Sequence, residues 1–222
     1  MDIIQYYLSN TSHIYQLTIE HLYIVSVSTV IAILIGLPAG ILITKNEFIA
    51  SKVINIANVA MTIPSIALFG FMLPFLAPFN LGLGKVPAIA ALVIYSQLPI
   101  ISNTYTAIKN VDPHIIDAGR GLGLSELRLF TNIKLPMSAP IILAGIRTAV
   151  IMNIGIASIA AYIGAGGLGV LIKVGIERVY TEMIITGALM VSLISLLIDW
   201  FMGGIEFLST SKGLKVASRL RK

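Results

Sequence analysis

Five long apolar stretches constrain this chain more than any other feature of its sequence. They cover residues 22–44, 53–73, 86–108, 137–163 and 183–202. Each has roughly the 20 residues that an α-helix needs to cross a bilayer. Only 11% of the residues are charged, far below the roughly 25% of soluble domains. The sequence therefore predicts an all-α integral membrane protein with five transmembrane helices.

Prolines interrupt three of these stretches and predict local breaks in the helices. Pro38 lies in the first stretch, Pro64 in the second and Pro99 in the third. Each removes a backbone hydrogen bond, which neighbouring helices can compensate inside a membrane protein. For Pro64 two interpretations stay open, a functional break and a proline that only packs.

A charged segment at residues 110–136, here called the coupling segment, separates the third apolar stretch from the fourth and must lie in water. Asp112 and Pro113 are typical of a helix start, because the acid caps free amides and proline at the first position loses no hydrogen bond. We expect this helix to end near Gly121.

A turn and a second helix are expected in the rest of the coupling segment. The turn is predicted from three glycines that favour left-handed backbone, namely Gly119, Gly121 and Gly123. Ser125 is the expected N-cap of the second helix, Glu126 lies in its positive first turn, and Pro136 is expected to end it. The prediction is a short helical hairpin with an apolar face at Leu127, Phe130 and Ile133.

Basic residues are distributed unevenly among the loops. The first loop, the coupling segment and the C-terminal tail hold most of them, whereas the other loops hold only Lys85, Lys173 and Arg178. The positive-inside rule then places the N-terminus outside and the coupling segment and tail in the cytoplasm.

The two ends of the chain differ in character. Residues 1–21 mix aromatic, aliphatic and polar residues and contain no Lys or Arg. They predict an external interfacial segment that stays attached, with a disordered tail as an equal alternative. Residues 22–205 form the predicted transmembrane domain, and residues 206–222 form a cytoplasmic basic tail.

The coupling segment resembles the EAA signature of the membrane subunits of ABC importers. That signature is E-A-A, three residues, G, nine residues and I-x-L-P, and the same spacing holds here for Asp117, Ala118, Gly119, Gly123, Ile133, Leu135 and Pro136. Asp117 shortens the acid and Gly119 loosens the helix. The resemblance implies that this segment docks on a cytoplasmic ATPase and transmits its closure to the membrane helices. An ordinary amphipathic loop is the alternative.

Four runs outside the coupling segment are similar to permeases for glycine betaine, carnitine and choline, at residues 63–68, 103–106, 144–149 and 161–169. Methionine importers also have a glycine-rich loop at the last position, so another small solute such as methionine is the alternative. The resemblance implies a methionine-importer-like fold in a bacterial cytoplasmic membrane. It also implies a second permease chain in a homodimer or heterodimer, two ATPases that carry ATP and Mg, and an external binding protein or lipoprotein.

Candidate pathway residues follow from the expected substrate, because aromatic faces attract methylated ammonium groups. The candidate wall residues are Phe69, Phe71, Tyr95 and Tyr162, with core or lipid-facing packing as the alternative for each. Pro64 and the loop glycines Gly164, Gly166, Gly167 and Gly169 are candidate gate residues. The G-x-G-x-x-G match in that loop does not indicate a dinucleotide site, because no βαβ pattern surrounds it.

Two charges fall inside the predicted spans. Counting about 1.5 Å per residue, Arg147 lies about one turn inside the cytoplasmic boundary, and Asp199 lies at a similar depth. We predict an ion pair between them, with independent snorkelling to the interface as the alternative.

Other functional classes lack their characteristic residues. No acid lies at a span centre, which disfavours an ion-coupled secondary transporter, the runner-up. The chain lacks a phosphate-binding G-x-x-x-x-G-K-[ST] loop and the H-E-x-x-H and G-x-S-x-G motifs of hydrolases. No metal site is predicted, since there is no cysteine and the scattered His13, His21 and His114 are expected at polar surfaces.

Overall fold

The computed structural model describes residues 2–209, which form ten α-helices and no strand. The helices are α1 (Ile3–Ser9), α2 (Thr11–Leu42), α3 (Glu47–Thr62), α4 (Ser65–Leu76), α5 (Lys85–Lys109), α6 (Pro113–Gly121), α7 (Glu126–Leu129), α8 (Leu135–Ile159), α9 (Gly169–Glu177) and α10 (Thr181–Ser209). The predicted all-α class is confirmed. The lysines and arginines of the predicted basic tail lie outside the described residues.

Four helical segments are each long and apolar enough to cross a membrane: Thr11–Lys45, Lys85–Lys109, Glu126–Ile163 and Thr181–Ser209. The bent pair α3 and α4 supplies a fifth crossing if it counts as one span. Within residues 2–209, the predicted number of five therefore depends on this broken element.

The predicted local break at Pro64 is confirmed, because the stretch at residues 53–73 is divided between α3 and α4, which meet at an angle of 103°. Ile63 at the junction has φ −68° and ψ 125°. Proline disfavours helical backbone in the residue before it, so Pro64 forces Ile63 into this extended conformation. Pro38 and Pro99, in contrast, lie inside the uninterrupted helices α2 and α5.

The first membrane helix begins at Thr11 rather than at Leu22. Ile14 and Leu17 in its first turns are buried. Helix α1 packs near the start of α10 through an edge-to-face contact of Tyr6 with Tyr180, whose ring centroids lie 5.3 Å apart. Residues 3–21 are therefore helical and packed, unlike a disordered tail. The apolar stretch in the sequence begins only at Leu22, because residues 11–21 of the helix are polar on one side.

Helix α5 lies between α2 and α8, and small residues bring these three helices close together. A β-carbon at Gly40 would lie 2.7 Å from Cβ of Thr104, and one at Gly145 would lie 2.6 Å from the carbonyl oxygen of Pro99. Glycine removes the side chain that would hold the backbones apart, which is the usual way for membrane helices to pack tightly.

A buried polar cluster joins the same three helices. The Asn153 side chain on α8 donates hydrogen bonds to the hydroxyl of Ser96 on α5 at 2.8 Å and to that of Ser28 on α2 at 3.5 Å. All three side chains are fully buried. Polar groups in an apolar interior need such partners, so the cluster fixes how these helices face one another.

Candidate functional site

The first helix of the coupling segment forms as the sequence predicts. The Asp112 carboxylate accepts a hydrogen bond from the His114 amide at 2.8 Å, and Pro113 is the first helical residue. The helix ends at Gly121, and Gly123 has φ +76° in the turn that follows. The predicted cap and turn are confirmed.

Gly119 and Gly121 do not form the turn, which corrects their predicted role. Both lie inside α6. Gly119 is buried, and a β-carbon there would lie 2.6 Å from Cδ2 of Leu129 and 2.9 Å from Cδ1 of Ile133. The glycine therefore lets α6 approach the second arm of the hairpin, whereas the neighbouring Asp117 and Ala118 are exposed.

The second arm does not end at Pro136, which is a further correction. Ser125 caps α7, as predicted, by accepting from the Arg128 amide at 3.5 Å. A π-helical turn, Phe130–Lys134, then leads directly into α8 at Leu135. Such a wide turn accommodates an irregularity of the hydrogen-bond ladder, here the missing N–H of proline. The hairpin is thus continuous with a membrane helix.

Charged side chains tie the two arms of the hairpin together. Arg120 donates to Glu126 from Nε at 3.1 Å and from Nη2 at 3.0 Å, and its Nη1 lies 3.4 Å from Asp117. This contact was not predicted, although the opposite charges on either side of the predicted turn were a usable signal. Leu122 and Leu127 remain 83% and 72% exposed, so the hairpin presents an apolar surface.

The candidate gate loop after α8 requires glycine at several positions. Gly164, Gly166 and Gly167 all have positive φ. A β-carbon at Gly169 would lie only 1.9 Å from the carbonyl oxygen of Ser158. The loop is therefore folded back tightly against the end of the helix that precedes it.

Residues from α2 and α5 hold this loop in place. The Gly167 amide donates to the Glu20 carboxylate at 3.2 Å, and Glu20 lies 3.9 Å from the ammonium of Lys85. His21 is fully buried, with Nε2 3.0 Å from the Ile154 carbonyl oxygen, so its predicted surface position is wrong. No residue spacing predicts these contacts, because they link distant parts of the chain.

The candidate aromatic residues occupy different environments. Phe69 is fully buried. Tyr95 is also buried, and its hydroxyl donates to the carbonyl of Ile63 at the break before Pro64. Tyr162 is 48% exposed with the Lys173 ammonium 5.9 Å from its ring centre, and Phe71 is 57% exposed. The hydroxyl of Tyr95 is thereby linked to the residue before the candidate Pro64.

Arg147 and Asp199 lie in direct contact between α8 and α10. Arg147 donates to the two carboxylate oxygens of Asp199 from Nε and Nη2, each at 2.7 Å, and its Nη1 donates to Glu206 at 3.2 Å. Glu206 was missed because α10 extends beyond the predicted end of the fifth span. A β-carbon at Gly203 would lie 3.2 Å from Nη1 of Arg147, so this glycine leaves room for the guanidinium.

Comparison with known proteins identifies the group to which these features point. Residues 16–207 match the family described as "Binding-protein-dependent transport system inner membrane component". The osmoprotectant import permease protein OsmW of Salmonella typhimurium is 43% identical over 97% of this chain and 100% of its own length. The glycine betaine/carnitine/choline transport system permease protein OpuCB of Bacillus subtilis is 41% identical over 88% of each chain.

Solved structures show the same fold. An inward-facing structure of the MetNI methionine ABC transporter has a TM-score of 0.78 at 24% identity, covering 89% of this chain and 96% of that chain. An amino acid ABC transporter structure with histidines has a TM-score of 0.77 at 20% identity, covering 93% and 98% of the respective chains. The predicted methionine-importer-like fold is confirmed.

Proposed function

Because the chain belongs to the family of binding-protein-dependent transport system inner membrane components, we propose that it carries quaternary-ammonium solutes such as glycine betaine, carnitine and choline. The supporting observation is its identity of 43% to a permease named for osmoprotectants and of 41% to one named for glycine betaine, carnitine and choline, over 97% and 88% of this chain. It is a permease subunit of an ABC importer and not itself an enzyme. The likeness to the methionine transporter concerns the fold alone.

The proposed assembly contains two permease chains, identical or different, two cytoplasmic ATPases that bind ATP and Mg, and an external binding protein or lipoprotein. The exposed Leu122 and Leu127 give the hairpin an apolar surface suited to a partner. The distribution of basic residues supports an external N-terminus and a cytoplasmic hairpin.

The proposed coupling path begins at α6, where the ATPase would dock on the exposed Asp117 and Ala118. Movement of α6 acts on the second arm through the close contact of Gly119 with Leu129. The π-helical turn transmits this movement to α8 without a flexible linker. The contact of Arg147 with Asp199 then transmits the movement of α8 to α10.

The substrate proposal can be tested on the purified complex of permease, ATPase and binding protein in liposomes. We expect glycine betaine, carnitine or choline to stimulate ATP hydrolysis and to be taken up, and methionine to do neither. Stimulation by methionine alone would assign the methionine alternative. Uptake that persists with a catalytically inactive ATPase would instead support a secondary transporter.

The glycine-rich loop, residues 164–169, is proposed as part of the external gate, together with the break at Pro64. The supporting observation is the hydrogen bond from the Gly167 amide to the Glu20 carboxylate. This bond must break before the loop can move away from α2. Lys85, whose ammonium lies 3.9 Å from the Glu20 carboxylate, can stay paired with that carboxylate after the bond to Gly167 breaks.

Cysteine labelling tests this gate. Ala165 and Leu168 are 1% and 0% exposed, so Ala165→Cys and Leu168→Cys should react slowly with an external thiol reagent in the resting complex and faster in the ATP-bound one. Val179→Cys is the control, because Val179 is 88% exposed and should react in both states. If each loop cysteine reacted at the same rate in the resting and the ATP-bound complex, the loop would not be part of the gate.

A further inference from the structure

A cavity of about 500 Å³ lies where α2 and α5 end and the coupling segment begins. Its apolar lining residues are Ile41, Leu42, Ile108, Leu127 and Phe130, and its polar ones are Thr44, Glu126 and two lysines, Lys45 and Lys134. We call this cavity the basic groove. A mainly apolar lining that includes two cations matches an amphipathic ligand with a negative head.

The positive charge of the two lysines is not cancelled by nearby acids. Glu126, which also lines the groove, bonds to Arg120 at 3.0 Å. Glu47, two residues after Lys45, bonds to Lys109 at 2.9 Å. Within residues 2–209 neither Lys45 nor Lys134 has an ion pair of its own. The two lysines therefore remain available to an anion.

The position of the groove favours a lipid over a soluble anion. It opens at the ends of the membrane-crossing segments Thr11–Lys45 and Lys85–Lys109, which is the level of the lipid headgroups. Leu42 beside it is 62% exposed, so the apolar wall continues toward the hydrocarbon. A free phosphate would satisfy the lysines and leave this wall uncovered, whereas an acyl chain would cover it.

We propose that the basic groove binds one acidic phospholipid, with its phosphate between Lys45 and Lys134 and an acyl chain along Leu42 and Phe130. Basic pockets between membrane helices bind acidic headgroups in this way. The lipid would contact both the end of α2 and the second arm of the hairpin, so it would bridge the coupling segment to the membrane. The inference does not depend on which solute is transported.

Lipid retention tests the proposal on the complete permease and ATPase complex. The complex is purified in neutral detergent after reconstitution with phosphatidylcholine containing phosphatidylglycerol, and the lipids that remain bound are counted by native mass spectrometry. We expect one phosphatidylglycerol to be retained, and Lys45→Gln with Lys134→Gln to lower its retention about ten-fold. The matched control is Lys52→Gln with Arg128→Gln, which removes the same charge near the same boundary but outside the groove.

Cross-linking at Leu42 tests the proposal independently, in case the lysine variants fold or express poorly. A photoreactive amino acid in place of Leu42 should cross-link to a phosphatidylglycerol acyl chain. Inorganic phosphate should neither displace the lipid nor lower this cross-linking. Equal loss of lipid in the control pair, displacement by phosphate, or cross-linking of Leu42 to the ATPase instead of lipid would each overturn the proposal.

Discussion

Gly123→Val is expected to lower both substrate-stimulated ATP hydrolysis and solute uptake while leaving the permease inserted in the membrane. Gly123 has φ +76° in the turn between the two arms of the hairpin, a conformation that costs an L-residue about 1–2 kcal/mol and a β-branched one more. The strain falls on an exposed turn, so the membrane helices keep their packing. The hairpin turn, however, must rearrange, and with it the surface offered to the ATPase.

The measurement is substrate-stimulated ATP hydrolysis and solute uptake in liposomes, with membrane insertion checked by yield. We expect both activities to fall about ten-fold or more, in keeping with that cost. Gly121→Val is the matched control, since Gly121 is helical and nothing lies within 4 Å of its β position. Retained activity in Gly123→Val would show that this turn does not set the hairpin geometry.

Removing either partner of the Arg147 and Asp199 contact is expected to lower the amount of folded permease several-fold. Each of its two hydrogen bonds is 2.7 Å long, and the loss of one charge leaves the other facing an apolar helix interface. Arg147→Ala should be the more damaging change, because it leaves both Asp199 and Glu206 without this guanidinium. The side chains of Arg147 and Asp199 are 31% and 38% exposed, so water offsets part of the loss.

Exchanging the charges of Arg147 and Asp199 distinguishes an ion pair from two charges that act independently. The combination of Arg147→Asp and Asp199→Arg should recover part of the folded yield, measured by size-exclusion chromatography and thermal unfolding. The recovery should be incomplete, because the acid at position 147 would face Glu206. Adding Glu206→Gln should therefore improve the exchanged variant although it weakens the wild type. Simply additive losses would show that the two charges act alone.

Local chemistry made much of this structure predictable from the sequence. The cap at Asp112 and the turn at Gly123 depend on neighbouring residues only, and both form as expected. The contact of Arg147 with Asp199 followed from counting helical rise, because two charges at one depth in an apolar layer have few other partners. The fold class followed from the length and number of the apolar stretches.

The features that were missed depend on how distant segments meet. Gly119 was expected in a turn, but its contact with Leu129 shows that it allows close packing. The burial of His21 depends on Ile154, far along the chain. The π-helical turn before Pro136 depends on the continuity of two helices that a proline was expected to separate. None of these contacts leaves a periodic pattern in the sequence.

The hydrogen bonds from Asn153 to Ser96 and Ser28 limit how the membrane helices can move. Sliding α8 along α5 by two residues shifts it about 3 Å, which would stretch the 2.8 Å bond to about 4 Å, beyond bonding distance. Tilting about this point would keep the bond. Helices α2, α5 and α8 are therefore expected to tilt about this point without sliding past one another, and the larger movements of alternating access would involve the elements around them, the broken pair α3 and α4 and the helix α10.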